Sequence, residues 1–292
     1  MIVGRRDVAK WLGLTFAGWP VGLLAQEGGP LLARADDVAS RLNARLGLMV
    51  LDHDTGGNFE RNADSLFPIT STFKAFAAAA VLSRVDAGKE DLSRRIRFAA
   101  DEIVTYSPVT QPRVGGEGMT LAEICEAACS TSDNTAGNLM LQALDGPLGF
   151  TSFMRSIGDG VSRLDRIETA LNEGTPGDAR DTTSPRAAAS SLSKLLFGDP
   201  LSLASRDILK RWMLGNRVAG NLLRSGLPSD WSIADRSGAG GHGSRSIIAA
   251  IWPPQRKPVV VAIYMTETTS SMEDRNAAIS QLGAALATLV SR

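Results

Sequence analysis

The stretch PITSTFKAFAAAAVLS, residues 68–83, is almost wholly apolar and carries a single lysine, Lys74, near its middle. Pro68 and the Thr70-Ser71 pair favour a helix start, alanine is the strongest helix former, and Gly88 is a suitable stop. The sequence therefore predicts a largely buried helix from about residue 70 to about residue 87.

Lys74 has two interpretations. A lysine in apolar surroundings is commonly a surface residue whose stem lies along the apolar groups. A lysine that is fully buried needs a partner or a task. Ser71 lies three residues earlier and therefore shares a helix face with Lys74. Free N–H groups in the first helical turn suit an oxyanion, so Ser71 is a candidate nucleophile and Lys74 its activator.

Composition limits the possible functions. The chain has 292 residues, 43% hydrophobic and 21% charged, which suits one sizeable core or two closely joined subdomains. Basic and acidic residues both number 31, so no excess of positive charge indicates nucleic acid binding. We expect small-molecule partners, a monomer, and no nucleic acid partner.

Residues 1–25 are predicted to be an export signal. A short positive region, MIVGRRDVAK, precedes the apolar run WLGLTFAGWPVGLLA. This run is too short, and too interrupted by Gly and Pro, for a membrane-spanning helix. Arg5-Arg6 resembles a twin-arginine signal with Ala25 as the last residue before cleavage; a Sec signal that contains two arginines is the alternative. We expect an exported protein, periplasmic or secreted, with no stable membrane anchor after signal removal.

The two cysteines, Cys125 and Cys129, are four residues apart on a predicted helix. Side chains at this spacing can touch, but their Cβ directions suit a disulfide poorly. His53 and His242 are distant from them in sequence and suggest no metal cluster. We expect two buried free thiols, no metal and no cofactor.

The order of the predicted elements indicates the fold. LGLMVLDHDTGGNFERNAD reads as a hairpin, a helical middle follows from about residue 69 to 213, and three strand-like runs and a helix end the chain. Strands at both ends imply one sheet built from the two termini with a helical insertion, an α/β (α+β) fold. We predict a discontinuous α/β subdomain, residues 26–68 and 214–292, and an all-α subdomain, residues 69–213.

Three further segments stand out. Ser132-Asp133-Asn134 lies in an alanine-rich helical region, where it is either a local cap or turn or part of a site. The segment Arg236-Ser237-Gly238-Ala239-Gly240 is either a bulge or turn, or a strand edge that lets something lie close to the backbone. The charged loop RIETALNEGTPGDARDTTSP, residues 166–185, is longer than a compact domain usually keeps without a function.

Together these segments match the order S-x-x-K, S-D-N, K-T-G of penicillin-recognising serine enzymes. The chain resembles a class A serine β-lactamase over essentially the whole mature sequence. The matching motifs are Ser71-Thr72-Phe73-Lys74, Ser132-Asp133-Asn134, Glu168-Thr169-Ala170-Leu171-Asn172 and Arg236-Ser237-Gly238. The resemblance implies an antiparallel sheet flanked by helices, with the active site between the two subdomains.

Three positions depart from the common pattern of the class, and a fourth, Thr70, lacks the cysteine that marks one group of carbapenem-hydrolysing members. Arg236 replaces the usual lysine, which makes the R-S-G motif similar to that of the carbenicillin-hydrolysing branch. Thr169 replaces a common proline, so the backbone after Glu168 can differ. Many relatives have a disulfide between a cysteine at the position of Cys125 and one at the position of Ala78. Because this chain has alanine at residue 78, the bridge is expected to be missing. Thr70, in place of a cysteine, disfavours broad carbapenemase activity.

The resemblance implies roles for the reacting groups. Ser71 would attack the β-lactam carbonyl, and the backbone N–H groups of Ser71 and Ala239 would hold the oxyanion. Either Lys74 or Glu168 would deprotonate Ser71, and this choice stays open. We expect partial burial and nearby positive charge to lower the pKa of Lys74. Glu168 with Asn172 would hold the water that releases the product.

The resemblance also implies how the substrate is bound. Ser132 would pass a proton to the leaving nitrogen, and Asn134 would contact the side-chain amide of the substrate. The expected substrate-binding set is Tyr106, Asn134, Arg236, Ser237, Gly238 and Arg245, in which Arg236, Ser237 and Arg245 bind the carboxylate. The ion pair of Arg166 with Asp181 would close the loop.

The expected function is hydrolysis of penicillins, and of some cephalosporins, with resistance to these antibiotics as the result. Two alternatives share the S-x-x-K serine: a penicillin-binding peptidase that acts on peptidoglycan, and a sensor module that is acylated once. Glu168 with Asn172 argues against the first. The lack of a predicted signalling or transmembrane segment argues against the second.

Overall fold

The computed structural model describes residues 29–291, so the predicted export signal lies outside the described residues. Its main sheet has five antiparallel strands in the order β2-β1-β9-β8-β7. The strands are β1 (Arg45–Asp52), β2 (Asn58–Arg61), β3 (Phe67–Pro68), β4 (Arg95–Ile96), β5 (Met119–Thr120), β6 (Thr182–Thr183), β7 (Ser232–Ala239), β8 (Arg245–Trp252) and β9 (Val259–Thr266). Strands from both ends of the chain form one sheet, as the sequence predicts.

Five of the described helices begin at residues whose side chains cap them. The helices are α1 (Gly29–Arg41), α2 (Phe73–Asp86), α3 (Leu121–Thr131), α4 (Asn134–Ala143), α5 (Gly146–Ser156), α6 (Pro185–Phe197), α7 (Leu203–Leu214), α8 (Leu223–Gly226) and α9 (Met272–Val290). The capped helices are α3, α4, α6, α7 and α9. Thr120 and Glu123 form a capping box on α3, and Ser184 caps α6. Such side chains satisfy backbone N–H groups that have no partner within the helix.

The sheet separates two cores because successive strand residues point to opposite faces. In β8, Ile247 and Ile251 pack into the core shared with α1 and α9, whereas Ile248 packs into the core shared with the remaining large helices. β7 is an edge strand of this sheet, and its outer side faces the helical part of the molecule.

α2 is the central helix of the second core. Every residue from Phe73 to Leu82 is buried, including Lys74. A run of alanines lets α3, α4, α5 and α7 pack against this one helix. The predicted helix is therefore confirmed, except that its first turn, Thr70–Thr72, is a 3₁₀ helix.

The predicted all-α subdomain, residues 69–213, also contains short strands. Within residues 69–213, β4 pairs with β5, and β6 pairs with β3 from outside that range. Such two-residue strands are too short to leave an alternating pattern in the sequence. α6 also packs against β1, β8 and β9, so this helix covers the sheet.

Among the described residues, no helix is long and apolar enough to cross a membrane.

The two cysteines lie on α3, and both are buried and free. Burial raises the pKa of the Cys125 thiol well above its usual value and that of Cys129 to about 12. Because the thiolate is the reactive form, neither cysteine should react quickly with Ellman's reagent in the native protein. After denaturation without reductant, titration should find two thiols per chain. Fewer thiols, or rapid reaction of the native protein, would contradict this prediction.

Candidate active site

Ser71 lies where the 3₁₀ turn Thr70–Thr72 leads into α2. Lys74 follows one helical turn later, and its Nζ donates to Ser71 Oγ at 3.2 Å. The Ser71 hydroxyl in turn donates to Glu168 Oε1 at 3.4 Å. The predicted nucleophile therefore contacts both of its candidate activators.

Lys74 and Glu168 form an ion pair, with 2.9 Å between Nζ and Oε1, and neither side chain has any exposed surface. Lys74 Nζ also donates to the Ser132 carbonyl at 3.0 Å and to Asn134 Oδ1 at 2.6 Å. Burial lowers the pKa of Lys74, and the positive charge of Arg236 lowers it further, while Glu168 opposes both effects. The direction agrees with the expectation from sequence, although the burial is complete.

The three residues of the Ser132-Asp133-Asn134 segment have different roles. Ser132 ends α3 in a left-handed conformation, with φ of 63°. Asp133 is fully buried and caps α4 by accepting the Ala136 N–H. Asp133 is therefore a helix cap, which is one of the two alternatives that the sequence left open. Ser132 and Asn134 on either side of it face Lys74. A sharp turn fixed by the buried aspartate thus presents two polar side chains to the site.

The loop between α5 and α6 brings Glu168 into contact with Lys74. Asn172 Nδ2 donates to Glu168 Oε2, and the peptide bond between Glu168 and Thr169 is cis. At the ends of the loop, Arg166 Nε donates to Asp181 Oδ2 at 2.6 Å. Asp181 also accepts the backbone N–H of Arg166 at 3.0 Å, so the predicted ion pair joins both ends of the loop.

Arg236 is buried beneath the cleft, and its guanidinium is already hydrogen-bonded. Nε and Nη2 donate to the Ser237 carbonyl at 3.0 and 2.8 Å, and Nη1 donates to the Cys129 carbonyl at 2.9 Å. Arg236 thus ties the end of α3 to β7, while its remaining N–H bonds have no bond to another protein group among the described residues.

Arg245, at the start of β8, lies on the same side of the cleft. Its Nη1 donates to the Gly238 carbonyl at 2.9 Å, and its Nε donates to Asn276 Oδ1 at 2.7 Å. Burial, with the positive charge of Arg236, lowers the pKa of Arg245 to about 10, so the side chain is still a cation at neutral pH.

Most of the predicted site residues line one cleft of about 260 Å³ between β7 and the helical part, whereas the buried pair of Lys74 and Glu168 is not part of its lining. The residues around it are Ser71, Tyr106, Ser132, Asn134, Asn172, Val218, Arg236, Ser237, Gly238, Ala239 and Arg245. Tyr106 stands at the rim with 53% of its surface exposed. A larger cavity of about 730 Å³ between α2 and α5 contains none of the predicted site residues. Within residues 29–291, no cluster of His, Cys, Asp or Glu could hold a metal ion.

Comparison with known proteins agrees with this geometry. Residues 30–290 match the model of the Beta-lactamase enzyme family. The β-lactamase AER-1 of Aeromonas hydrophila is 48% identical over 267 residues, which cover 91% of this chain and 88% of the relative. The chain belongs to the β-lactamase enzyme family. The β-lactamase PSE-4 of Pseudomonas aeruginosa is 50% identical over 83% of this chain and 84% of its own length.

A solved structure of an ancestral class A β-lactamase superposes on this β-lactamase with a TM-score of 0.87 and 51% identity, covering 88% of this chain and 99% of the ancestral one. The predicted fold and the predicted class A serine β-lactamase are therefore confirmed. Relatives named PSE-4 and CARB-3 confirm its predicted placement in the carbenicillinase branch. The peptidase and sensor alternatives are set aside.

Two residues of this β-lactamase contact predicted site residues and were not predicted. Asn138 accepts the Glu168 N–H at 2.8 Å and donates to the Glu168 carbonyl at 3.0 Å, so it holds the loop backbone from α4. Asn276 on α9 holds Arg245. Asn138 lies four residues after Asn134 on one helix face, which is a weak signal. Asn276 leaves no signal in the sequence.

Proposed function

We propose that this β-lactamase opens the β-lactam amide of penicillins through an acyl-enzyme on Ser71. The observation that carries the proposal is the buried cluster in which Lys74 Nζ lies 3.2 Å from Ser71 Oγ and 2.9 Å from Glu168 Oε1. An amide needs an activated nucleophile, a site for the oxyanion, a proton for the leaving nitrogen and a water for turnover. The cleft offers a group for each.

In the acylation step, Ser71 Oγ attacks the carbonyl carbon and its proton passes to a base. Glu168 Oε1 accepts the Ser71 hydroxyl at 3.4 Å, and Lys74 lies 3.2 Å away with a lowered pKa, so both candidates are within reach. The backbone N–H groups of Ser71 and Ala239 stabilise the oxyanion. The choice between the two bases stays open.

The leaving nitrogen takes its proton from Ser132 as the C–N bond breaks. Ser132 Oγ lies 3.5 Å from Lys74 Nζ, so the ammonium group can supply the proton that Ser132 gives up. Asn134 Oδ1 is held by Lys74, and its Nδ2 donates to the Thr105 carbonyl at 2.8 Å. Asn134 lines the cleft, and its second Nδ2 proton and second Oδ1 lone pair remain to bind the side-chain amide of the substrate.

Hydrolysis of the acyl-enzyme requires water held by Glu168 and Asn172. Asn172 Nδ2 donates to Glu168 Oε2, while Asn172 Oδ1 is buried and has no hydrogen-bond partner in the described part of the chain. A buried acceptor of this kind is satisfied when a water donates to it. The same water can pass a proton to Glu168 and attack the ester carbon.

The substrate carboxylate binds between Arg245, Arg236 and Ser237. Arg245 and Arg236 both carry positive charge at the floor of the cleft, and Ser237 adds a hydroxyl. Charge-assisted hydrogen bonds are about twice as strong as neutral ones, so these groups suit an anionic antibiotic. We propose penicillins including carbenicillin as substrates, with some cephalosporins.

We propose further that the protein is exported through its twin-arginine signal and acts on antibiotics in the periplasm or outside the cell. The positive region and the apolar run of residues 1–25 support export. We also propose a monomer that needs no cofactor, because Ser71, Lys74 and Glu168, with Ser132, supply the groups that the proposed reaction requires. Resistance to β-lactam antibiotics follows when the mature enzyme destroys them before they reach their targets.

The first prediction concerns Glu168. Glu168→Ala should still react at Ser71 but release product about 100- to 10,000-fold more slowly, because it lacks the general base for water. Intact-protein mass spectrometry should show the chain heavier by one ring-opened penicillin. Glu117→Ala, at an exposed glutamate, is the control and should show no adduct. Turnover of Glu168→Ala at the wild-type rate would remove this residue from the mechanism.

A second prediction concerns the two arginines. Arg236→Ala and Arg245→Ala should each lower kcat/KM for penicillins by about 10- to 1000-fold, through loss of a charge-assisted hydrogen bond. Because Arg236 is buried and also joins α3 to β7, Arg236→Lys keeps the charge when the alanine variant is unstable. Unchanged kcat/KM in the folded alanine variants would sink the assignment, whereas Arg236→Lys should lose less kcat/KM than Arg236→Ala.

A third prediction concerns export. Replacing Arg5 and Arg6 by lysines keeps the positive charge, so a Sec signal should work as before while a twin-arginine signal should fail. We expect β-lactamase activity to stay in the cytoplasmic fraction in this variant. Lys10→Arg is the matched control. Normal export of the double-lysine variant would point to the Sec route, and sequencing of the mature N-terminus tests cleavage after Ala25.

A further inference from the structure

The residue before the nucleophile has an unusual backbone. Thr70 is fully buried and has φ of +46°, in the left-handed region that β-branched residues rarely adopt. Such a conformation persists only when its surroundings hold it. Because Thr70 is bonded directly to Ser71, whatever holds Thr70 also fixes the direction of the Ser71 N–H.

A relay of hydroxyl groups holds Thr70 to the sheet. Thr70 Oγ1 donates to the Ile69 carbonyl at 2.9 Å and lies 2.8 Å from Ser246 Oγ on β8. A threonine hydroxyl has one proton to donate. With the Thr70 proton on the Ile69 carbonyl, Ser246 is the donor to Thr70, and the relay then runs from Ser246 through Thr70 to the Ile69 carbonyl.

A similar relay holds the residue after the nucleophile. Thr72 Oγ1 donates to the same Ile69 carbonyl, and Tyr264 OH on β9 lies 3.0 Å from Thr72 Oγ1. Burial raises the pKa of Tyr264, so the phenol keeps its proton and can donate. Ser71 therefore lies between two hydroxyl relays, each anchored on a different strand of the sheet.

The edge strand lies close against this turn. A Cβ atom at Gly238 would be 2.0 Å from Thr70 Oγ1 and 2.9 Å from the Ser71 backbone nitrogen, so only glycine fits here. Gly238 pairs with Ser246 across the ladder, and Ala239 follows it. The Thr70–Ser246 bond thus lies where the nucleophile turn, β7 and β8 meet.

We propose that the hydrogen bond between Thr70 and Ser246 sets the spacing between the Ser71 and Ala239 N–H groups, and that Thr70 and Ser246 are positioning residues for oxyanion stabilisation. Neither side chain lines the cleft, so neither touches substrate. The inference rests on the proposed acylation of Ser71. Loss of the bond would let the turn shift against β7, and small displacements of oxyanion donors are costly to the reaction rate.

The test compares Thr70→Val and Ser246→Ala with the wild-type enzyme. Each should lower the pre-steady-state rate of acylation by a penicillin about 5- to 50-fold. The inhibition constant of phenylboronic acid, whose tetrahedral adduct on serine places an oxygen among the oxyanion donors, should rise by a similar factor. KM should change less than kcat, because Arg236 and Arg245 are untouched.

Three further variants separate positioning from simple loss of stability. Thr70→Ser keeps the hydroxyl and should stay near the wild-type acylation rate. Ser244→Ala removes a similar buried hydroxyl pair, Ser244 with Thr266 at 3.0 Å, away from the Ser71 turn, and should leave acylation unchanged. The double variant, Thr70→Val with Ser246→Ala, should be no slower than the slower single variant, because both substitutions remove the same hydrogen bond between Thr70 and Ser246.

Several outcomes would overturn the inference. A lower Tm with unchanged acylation and phenylboronic acid inhibition would make the bond structural only. Thr70→Ser as slow as Thr70→Val would exclude the hydroxyl as the cause, and additive effects in the double variant would exclude a shared bond. Failure of the proposed mechanism is distinguished separately, because Glu168→Ala would then form no penicillin adduct on Ser71.

Discussion

The buried ion pair of Lys74 with Glu168 is the contact on which the rest of the site depends. Removing two charges from water costs free energy that one contact rarely recovers, so each charge needs further hydrogen bonds. Lys74 obtains them from Ser71, the Ser132 carbonyl and Asn134, and Glu168 obtains one from Asn172. The pair can therefore form only where α2, the turn before α4 and the loop before α6 meet.

That requirement explains why the loop is fastened at several points. Asn138 holds the backbone of Glu168 from α4 through two hydrogen bonds, and Arg166 joins the loop ends through Asp181. A loop of this length loses much conformational entropy when it is fixed. These contacts lie at the two ends of the loop and at Glu168, which are places where a shift would separate Glu168 from Lys74.

The outer side of the edge strand β7 is used to form the cleft. An edge strand has unpaired backbone groups that normally invite association with other chains. In this β-lactamase its outer side forms a wall of the cleft, where the Ala239 N–H is proposed to bind the oxyanion. Small residues at Gly238 and Ala239 let the substrate and the nucleophile turn approach the backbone, while Arg236 fastens the strand to α3.

The sequence by itself determined the main helices and the strands of the large sheet, the fold class and the four motifs, because helical and strand periodicity and short-range spacing are local properties. It also indicated Lys74, since a lysine in an apolar helix is a local contradiction. Only the tertiary structure decided that Asp133 is a cap, that Asn138 and Asn276 hold Glu168 and Arg245, and that Arg236 bonds to the Cys129 carbonyl. The bonds of Asn138, Asn276 and Arg236 join residues 30 to 107 positions apart, and they form because packing brings the groups within hydrogen-bonding distance, which no local pattern encodes.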